Sequence, residues 1–480
     1  MKAYNPHIFL PFLLLSLIIL VASCKKDPEP GPEPDPGLPQ EILILNNWIW
    51  EGMNDFYLWE EFIPNLDPDY EEDPKAYFQR LLYKDDRDSW IVDDYEALLA
   101  MFDGVQPATG MSVSPGLIDE TQVVSIVIYV TPNTPAADSG IVRGDMIISI
   151  DGKALTVDNY FDLYYQTTAT FGFGSWDGIN LIPNGKEVEL TAVELIQNPF
   201  IHNEIIEYQG FKIGYYVYSN FTPGPNDEWM EEMNRVLGEF KAAGVSDVVV
   251  DLRYNGGGYG YVAEQMGSIL GPNSAVTSKS IFSTKIWNDG FTQYWRDADL
   301  DEDGQSDGDE SMRLLSRFPD TEVNLNLSKL YFLTTDRTAS ASELLMVALY
   351  PYAEVIQIGT ETYGKCYGSV TIDDWENPKR HNWAMQPIVL KYANSEGYTD
   401  FVDGLNPNFM VEESLLNAVP FGSEQDPLLA VALEQITGVA PVTKKSAEPQ
   451  FDFEQLPVPR KQLPELKLDW PLRTGSSKIR

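Results

Sequence analysis

The chain has 480 residues, of which 43% are hydrophobic, 12% aromatic and 22% charged, a globular composition with enough apolar residues for two or three domains. Its 33 Lys and Arg residues stand against 73 Asp and Glu residues, which gives a formal net charge of −40. This surplus of negative charge repels phosphate backbones, so nucleic acid is not expected as a partner.

Residues 1–24 resemble a secretory signal, with Lys2 ahead of an apolar run from Ile8 to Val21. The run is short for a spanning helix, which needs about 20 apolar residues. Small residues directly before Cys24 resemble a bacterial lipobox, which implies cleavage there and lipidation of Cys24. An ordinary cleaved signal and an anchor helix are the alternatives. Residues 25–40 are rich in proline and acidic residues, which predicts an extended tether.

These features predict a cell-envelope lipoprotein of a Gram-negative bacterium, on the periplasmic side or the outer-membrane surface, held by an N-terminal lipid anchor. Cleavage before Cys24 leaves Cys366 as the other cysteine of the mature chain, so no internal disulfide is expected. The sequence gives no indication of an oligomeric state.

Residues 41–103 are predicted to form an N-terminal helical bundle. Ile49, Met53 and Phe56 recur at helical spacing, and Asp73 followed by Pro74 is a typical cap and first-turn pair.

Residues 104–197 change to strand patterns, such as the run 123–130, and include the glycine-punctuated segment 134–145. This region resembles a PDZ domain. The resemblance implies a groove in which an extended peptide adds as a further strand. It also implies that the loop Gly110, Met111 and Ser112 binds a peptide's terminal carboxylate, although the second glycine usual in that loop is missing.

Residues 198–440 alternate strands and helices, which is typical of an α/β layer that carries its chemistry on loops after the strand ends. The chain from 441 to 480 is a polar, proline-containing tail that we expect to be loosely packed.

An acidic insertion, residues 296–311, interrupts the α/β pattern. Its oxygen-bearing residues have the spacing of an EF-hand calcium loop with Gly304 at the sixth position. Ser306 stands where that loop usually has an apolar residue, and a solvated acidic loop is the alternative. The predicted ligands of a structural calcium ion are Asp299, Asp301, Asp303, Gln305, Asp307 and Glu310.

Three separated motifs carry the chemistry: Asp-Leu-Arg-Tyr-Asn-Gly-Gly-Gly over residues 251–258, Ser-Ala-Ser-Glu over 340–343, and Gly-Lys at 364–365. Together they resemble the C-terminal processing peptidases, also called tail-specific proteases, and the resemblance covers residues 41–430. It implies a multidomain α/β fold: an N-terminal helical bundle, a PDZ-like β-rich domain and an α/β catalytic domain with a crotonase-like layered core.

The resemblance implies that Ser340 is the nucleophile, Lys365 the general base and Glu343 the conserved helix glutamate. The N–H groups of Ala341 and of Gly257 or Gly258 would then form the oxyanion hole. A serine where a strand meets a helix fits this role, because helix N-terminal N–H groups favour developing negative charge. No cofactor is required for this catalysis.

Two points about the dyad stay open. A lysine base must lose its proton, which burial favours, whereas a nearby Glu343 carboxylate favours the charged form. Glu343 could also form only a capping box with Ser340. Several family members carry a glutamine four residues after the lysine, and Ser369 occupies that place here, so the residue that orients Lys365 is not identified.

A Ser-His-Asp triad is the main chemical rival, but His7, His202 and His381 lie in no catalytic motif, and nothing near Cys366 supports it as a nucleophile. The sequence therefore predicts a serine endopeptidase that cleaves partly unfolded polypeptides. The alternative is a catalytically inactive, PDZ-containing peptide-binding lipoprotein.

Overall fold

The structure is a computed structural model that describes residues 37–102, 105–164, 166–176, 180–442 and 453–456. The predicted signal, most of the predicted tether, Cys24, and most of the predicted tail lie outside these ranges. Within them, no helix combines the length and apolar character needed to cross a membrane.

Residues 37–102, the N-terminal segment, begin with a long helix because apolar residues recur on one face. Asp73 caps the second helix by accepting from the N–H groups of Lys75 and Ala76 at 2.9 and 3.2 Å. The elements of this segment are α1 (Gln40–Phe56), α2 (Pro74–Leu81), β1 (Trp90–Val92) and α3 (Tyr95–Phe102).

Residues 105–196, the β-rich unit, form an antiparallel sheet around their own apolar core. Its elements are β2 (Val105–Ala108), β3 (Met111–Leu117), β4 (Val123–Val130), α4 (Pro135–Asp138), β5 (Met146–Ile150), β6 (Lys153–Ala154), α5 (Tyr160–Tyr164), β7 (Thr168–Trp176), β8 (Leu181–Thr191) and β9 (Val193–Ile196). The main sheet has the order β3-β4-β5-β7-β8, with β6 paired to β5, and β2 pairs separately with β9.

Residues 200–442, the α/β unit, contain the predicted alternation of strands and helices. Its elements are β10 (Phe200–Tyr208), β11 (Phe211–Tyr218), α6 (Glu228–Ala243), β12 (Asp247–Asp251), α7 (Gly260–Leu270), α8 (Asn273–Thr277), β13 (Ile281–Trp287), α9 (Asp289–Asp297), β14 (Leu315–Arg317), β15 (Lys329–Thr334), α10 (Ala341–Leu349), β16 (Glu354–Gly359), β17 (Tyr367–Ser369), β18 (Ala384–Gln386), β19 (Ile388–Ala393), β20 (Phe409–Met410) and α11 (Pro427–Thr437). A last short strand, β21 (Glu454–Gln455), pairs with β3 of the β-rich unit.

The α/β unit is layered. Strands β10-β11-β12-β15-β16-β20 form one sheet, parallel from β11 onward, and β14-β13-β19-β17 form a second, antiparallel sheet. Helices α6, α7 and α10 share one apolar core with the six-stranded sheet, and α11 contributes to a separate core with residues of β11, β12, β15 and β16. A parallel sheet covered in this way directs its functional loops to the carboxyl ends of its strands.

The apolar residues of the N-terminal segment pack onto the α/β unit. Trp48, Ile49 and Met53 belong to the same core as α6, α7 and α10. Strand β1 pairs antiparallel with β18, with Trp90 opposite Gln386. The segment is therefore built onto the α/β unit, because its apolar face has no sufficient partner of its own.

Candidate active site

Ser340 occupies the turn between β15 and α10, at the carboxyl end of a central parallel strand. Its backbone has φ 60° and ψ −114°, a conformation that costs a non-glycine residue energy and that persists only when neighbours enforce it. Hydrogen bonds tie the turn to the neighbouring strand end, from Thr338 Oγ1 to Leu252 O at 2.8 Å and from Ala339 N to Asn255 O at 3.1 Å. Ser340 is thus held on a strained strand-to-helix turn, the type of turn that carries the nucleophilic serine in α/β-hydrolases.

Glu343 connects the Ser340 turn to the Lys365 segment through a single buried carboxylate. Its Oε2 accepts from the N–H of Ser340 and the N–H of Lys365, each at 2.8 Å. Its Oε1 accepts from the Gly364 N–H at 2.8 Å and from the Thr362 hydroxyl. The backbone nitrogens of Ser340 and Lys365 therefore lie within two hydrogen-bond lengths of each other.

The half of the predicted capping box in which Glu343 accepts from the Ser340 N–H is formed at the start of α10. The Ser340 hydroxyl faces the Glu343 N–H but makes no hydrogen bond of normal geometry within the described part of the chain. Burial raises the pKa of the Glu343 carboxyl, and its hydrogen bonds to Thr362, Lys365, Ser340 and Gly364 oppose part of that rise.

Lys365 is 4% exposed and Ser340 is 1% exposed. Gly364 precedes the lysine with φ 86°, and a Cβ there would lie 2.4 Å from the carbonyl oxygen of Val402, so glycine is required. The backbone directly before Lys365 is therefore packed too tightly for any residue other than glycine at position 364. Ser369, the last residue of β17, is also fully buried.

Arg87 of the N-terminal segment holds the chain around Lys365. Its Nη2 donates to the carbonyl oxygens of Tyr363, Gly364 and Val402 at 3.0, 2.7 and 2.9 Å, and its guanidinium lies 4.5 Å from the centre of the Tyr363 ring. A guanidinium has five N–H donors and no acceptor, which suits it to binding several carbonyl oxygens at once. The N-terminal segment thus contributes directly to the position of the predicted base.

The glycine turn of residues 256–258 follows β12 and packs against Ser340. Gly257 has φ 113° and Gly258 φ 141°. A Cβ on Gly257 would lie 2.7 Å from Ser340 Cβ, and one on Gly258 would lie 2.4 Å from Phe221 O. The turn can approach the serine this closely only because these positions lack side chains.

The structure distinguishes between the two glycines that were alternatives in the predicted oxyanion hole. The Gly257 N–H donates to Asn255 Oδ1 at 2.9 Å, so it is already committed. Asn255 in turn donates to Tyr218 O and fixes the shape of the turn. The N–H groups of Gly258 and Ala341 remain the candidates for binding an oxyanion.

A buried ionic network lies beneath the glycine turn. The fully buried Arg253 contacts Asp251 at 2.6 Å, Glu413 at 2.8 Å and Asp426 at 2.9 Å. Arg143 of the β-rich unit pairs with the same Glu413. Burial pulls the pKa of Glu413 upward, but the Arg253 and Arg143 cations outweigh it and hold this pKa below its usual range. The network thus joins the β-rich unit to the turn that carries the oxyanion candidates.

The predicted carboxylate loop lies at the start of β3. Gly110 has φ 89°, and a Cβ there would collide with the Thr134 side chain at 2.1 Å. Met111 and Ser112 are the first residues of β3. The structure thus positions this loop at one end of a sheet strand, while its binding of a carboxylate stays a prediction.

The acidic insertion brings together half of the predicted calcium ligands. Carboxylate oxygens of Asp299, Asp301 and Asp307 all lie within 4.8 Å of one another. Glu310 instead pairs with Arg317, and Asp303 accepts from the N–H of Gln305 at 2.8 Å.

Among the described residues, neither His202, His381 nor Cys366 forms a hydrogen bond with the Ser340 hydroxyl. The Ser340 hydroxyl has no hydrogen-bond partner among the described residues, His202 pairs with Glu204 at 3.2 Å, and His381 lies 3.9 Å from Asp374. Burial raises the pKa of the Cys366 thiol to about 11, which disfavours the thiolate needed for attack. His7 lies outside the described residues.

Comparison with known proteins identifies the family. A model of peptidase family S41 matches residues 212–411, which contain Ser340, Glu343 and Lys365, and a model of the peptidase S41 N-terminal domain matches residues 45–91. This chain belongs to peptidase family S41. The S41 chain is accordingly a serine-type peptidase.

Relatives of this S41 chain include a carboxyl-terminal-processing protease of Picosynechococcus sp., 22% identical over 351 residues, which span 72% of this chain and 74% of the relative. A carboxy-terminal-processing protease of Bartonella bacilliformis is 25% identical over 303 residues, which span 62% of this chain and 61% of the relative. A crystal structure of a candidate S41 protease from Bacteroides fragilis has a TM-score of 0.66 and 25% identity, covering 86% of this chain and all of that one.

Several residues of the site were not identified from the sequence. Asn255 lies within the glycine motif of residues 251–258, and an asparagine at that position could have been predicted to hydrogen-bond the backbone of the turn. No sequence pattern singles out Thr362 or Arg87. The stretch around Arg87 is acidic, which is typical of a solvent-exposed surface. The Arg143 and Glu413 pair joins residues 270 positions apart and could not be inferred from local pattern.

Proposed function

We propose that this S41 peptidase is an endopeptidase of the C-terminal processing type that cleaves partly unfolded polypeptides with a Ser340/Lys365 dyad. One observation carries the proposal: the Glu343 carboxylate binds the backbone of both residues through the same oxygen. The two relatives named carboxyl-terminal-processing proteases support the reaction type.

In the proposed reaction, Lys365 Nζ accepts the proton of Ser340 Oγ as that oxygen attacks the carbonyl carbon of the scissile peptide bond. The N–H groups of Gly258 and Ala341 stabilise the negative charge on the carbonyl oxygen, assisted by the N-terminus of α10. The C–N bond then breaks, and Lys365 gives its proton to the leaving amine. A water molecule hydrolyses the resulting ester by the same route, with Lys365 accepting its proton.

Ser340 and Lys365 are almost completely buried, so a substrate has to gain access by a local rearrangement. We propose that the β-rich unit acts as a PDZ domain that binds a substrate C-terminus or gates the site. The Arg143–Glu413–Arg253 network supports this role because it connects the β-rich unit to the glycine turn.

The test of the dyad is Ser340→Ala. Cleavage of casein or an unfolded peptide should fall by about 10⁴-fold or more, with unchanged circular dichroism and melting temperature. A serine-reactive covalent probe should label wild type at Ser340 and not the variant. Retained cleavage in the variant contradicts the proposal, and a folded wild type that neither cleaves nor is labelled favours the inactive peptide-binding alternative.

Cys24 is proposed as the lipidated residue of an envelope lipoprotein, on the basis of the lipobox-like sequence. Metabolic labelling with a fatty acid should mark the wild-type chain and not Cys24→Ala. Equal labelling of both would contradict this assignment.

We also propose that the acidic insertion binds a structural calcium ion. The spacing of its ligands and the approach of the Asp299, Asp301 and Asp307 carboxylates support this.

A further inference from the structure

The outer edge of β3 is covered by a segment from the far end of the chain. Strand β21 lies beside β3 in antiparallel orientation, with Glu454 opposite Leu117 and Gln455 opposite Gly116. The Leu456 N–H continues the ladder by donating to Pro115 O at 3.0 Å. Without β21, β3 would be the outermost strand of its sheet, with an open row of hydrogen-bonding groups.

Two apolar side chains anchor this segment on opposite faces of the sheet. Phe453 lies directly on Gly116, where an added Cβ would meet the ring at 2.2 Å, and it packs against the cluster that contains Ile126 and Ile128. Leu456 packs against the core of the β-rich unit. Glu454 and Gln455, between them, are exposed. The segment therefore has an apolar residue at each end and two polar residues between them, and its apolar ends pack on opposite faces of the sheet.

The segment also runs in the direction expected of a bound peptide. Because the pairing is antiparallel, residues 454, 455 and 456 pass Leu117, Gly116 and Pro115 in turn, toward the loop at Gly110. A peptide whose terminal carboxylate binds at that loop would add to β3 in this orientation.

Arg337 connects the covered edge of β3 to the turn that carries Ser340. Its Nη2 donates to Ser114 Oγ of β3 at 2.7 Å and to Gln455 Oε1 at 3.3 Å. Arg337 lies three residues before Ser340 in the same turn. Whatever occupies the edge therefore contacts the segment that positions the nucleophile.

We propose that residues 453–456 are an internal ligand of the β3 edge and compete there with substrate peptides. This rests on the proposed function, since it takes the edge to be the docking site for substrate. The edge then selects extended polypeptide with two apolar side chains separated by two polar ones, and substrate binds by displacing the chain's own segment.

A binding experiment tests the proposal without requiring activity. The full chain carrying Ser340→Ala is compared with the same chain also carrying Phe453→Asp and Leu456→Asp, and the probe is a fluorescein-labelled peptide with the sequence of residues 450–460. Removing the internal competitor should tighten peptide binding by about tenfold or more, because a tethered segment competes at a high effective concentration. Glu454→Gln, which changes an exposed residue and keeps both anchors, should leave binding unchanged.

A peptide with Asp at the two anchor positions should not bind either chain. Leu456→Pro removes the N–H that donates to Pro115 O and should weaken the binding of the segment to β3. This variant replaces the double variant if the double variant loses its native circular dichroism. Equal affinity of the Ser340→Ala chain and the released chain for the native peptide, or no binding to either, overturns the proposal.

A second measurement connects binding to catalysis. In the active chain, release of the segment should lower KM for an unfolded peptide substrate by about tenfold with little change in kcat. If Ser340 proves inactive, the proposed function fails while the binding comparison still decides whether the edge has an internal ligand. If cleavage occurs but neither affinity nor KM responds to release, the internal-ligand proposal alone fails.

Discussion

At the residue scale, Glu343 both caps α10 and holds the backbone of Lys365. Seen in the sequence, it either caps α10 or orients the lysine. In the structure, Oε2 accepts from the N–H groups of Ser340 and Lys365 together, so capping the helix and fixing the Lys365 segment are the same interaction. The missing glutamine at Ser369 is thereby offset in part, because the backbone of Lys365 is held by Glu343 and, through its neighbours, by Arg87.

Replacing Glu343 by Gln tests this bridging role. Each oxygen of the Glu343 carboxylate accepts from two donors, Ser340 and Lys365 on one and Gly364 and Thr362 on the other. A glutamine has only one accepting oxygen, so one of these two pairs of donors loses its acceptor. We expect kcat to fall by about 10²-fold with little change in KM, and the free energy of unfolding to fall by about 2 kcal/mol. Steady-state kinetics and urea denaturation measure the two effects.

Thr362→Ser is the matched control for Glu343→Gln, because it keeps the hydroxyl that donates to the carboxylate. It should retain nearly full activity. If Glu343→Gln lowers stability but leaves kcat unchanged, Glu343 is only a helix cap and the bridging role is wrong.

Residue-level prediction from the sequence succeeded where a local motif carries the information. Ser340 at the start of a helix, its capping box and the need for glycine at 257 and 258 all follow from short-range pattern. The commitment of the Gly257 N–H to Asn255 did not, because it depends on the rotamer of a side chain within the turn.

At the element scale, strands buried on both faces were the easiest to predict. β12 and β15 are short apolar runs, and their parallel pairing follows from the helices between them. The pairing of β1 with β18 and of β21 with β3 joins segments hundreds of residues apart. No local periodicity encodes such pairings, which is why neither of them was predicted.

The acidic insertion gives a prediction at this scale. Three carboxylates held within 4.8 Å of one another repel, and a divalent cation would remove that repulsion. Calcium should therefore raise the melting temperature by several degrees over an EGTA-treated sample, since ligand at a hundred times its Kd stabilises by about 2.7 kcal/mol. Differential scanning calorimetry measures the shift.

Asp301→Asn combined with Asp307→Asn should abolish the calcium shift. Asp309→Asn makes a charge change of the same kind in the same loop, but Asp309 pairs with Arg296 outside the three-carboxylate group, so this variant should keep the shift. An identical melting temperature in calcium and EGTA would identify the insertion as a solvated acidic loop.

At the scale of the whole molecule, the three parts of the chain converge on the turns around Ser340. Arg87 reaches the Lys365 segment from the N-terminal segment, and Arg143 reaches Glu413 from the β-rich unit. These contacts are ionic or polar and lie beside the site, whereas the large apolar core lies within the α/β unit and beneath the N-terminal segment. The β-rich unit is joined to the α/β unit by these buried charges, whose strength changes with pH, and by apolar packing of Ile126 and Ile128 with Leu415.

Glu413 supplies the pH dependence. Its pKa is depressed in the folded chain, so it contributes stability that is fully present above its unfolded pKa of about 4.3 and is lost as pH falls through the lower folded value. Glu413→Gln should therefore lower the free energy of unfolding by about 3 kcal/mol at pH 7, because Arg143 and Arg253 lose a shared buried partner. The difference from wild type should shrink as pH falls below about 4.3, because the unfolded chain then binds a proton at Glu413 while the folded chain keeps this carboxylate ionised.

Urea denaturation of both chains between pH 7 and pH 3 measures that difference directly. Glu412→Gln is the control, since Glu412 is the exposed neighbour of Glu413 and its removal should change stability little at any pH. A gap between Glu413→Gln and wild type that stays constant down to pH 3 would mean that the two arginines do not hold Glu413 ionised. In that case the connection between the β-rich unit and the glycine turn would rest on packing around Tyr254 and Phe421 instead of on the shared carboxylate.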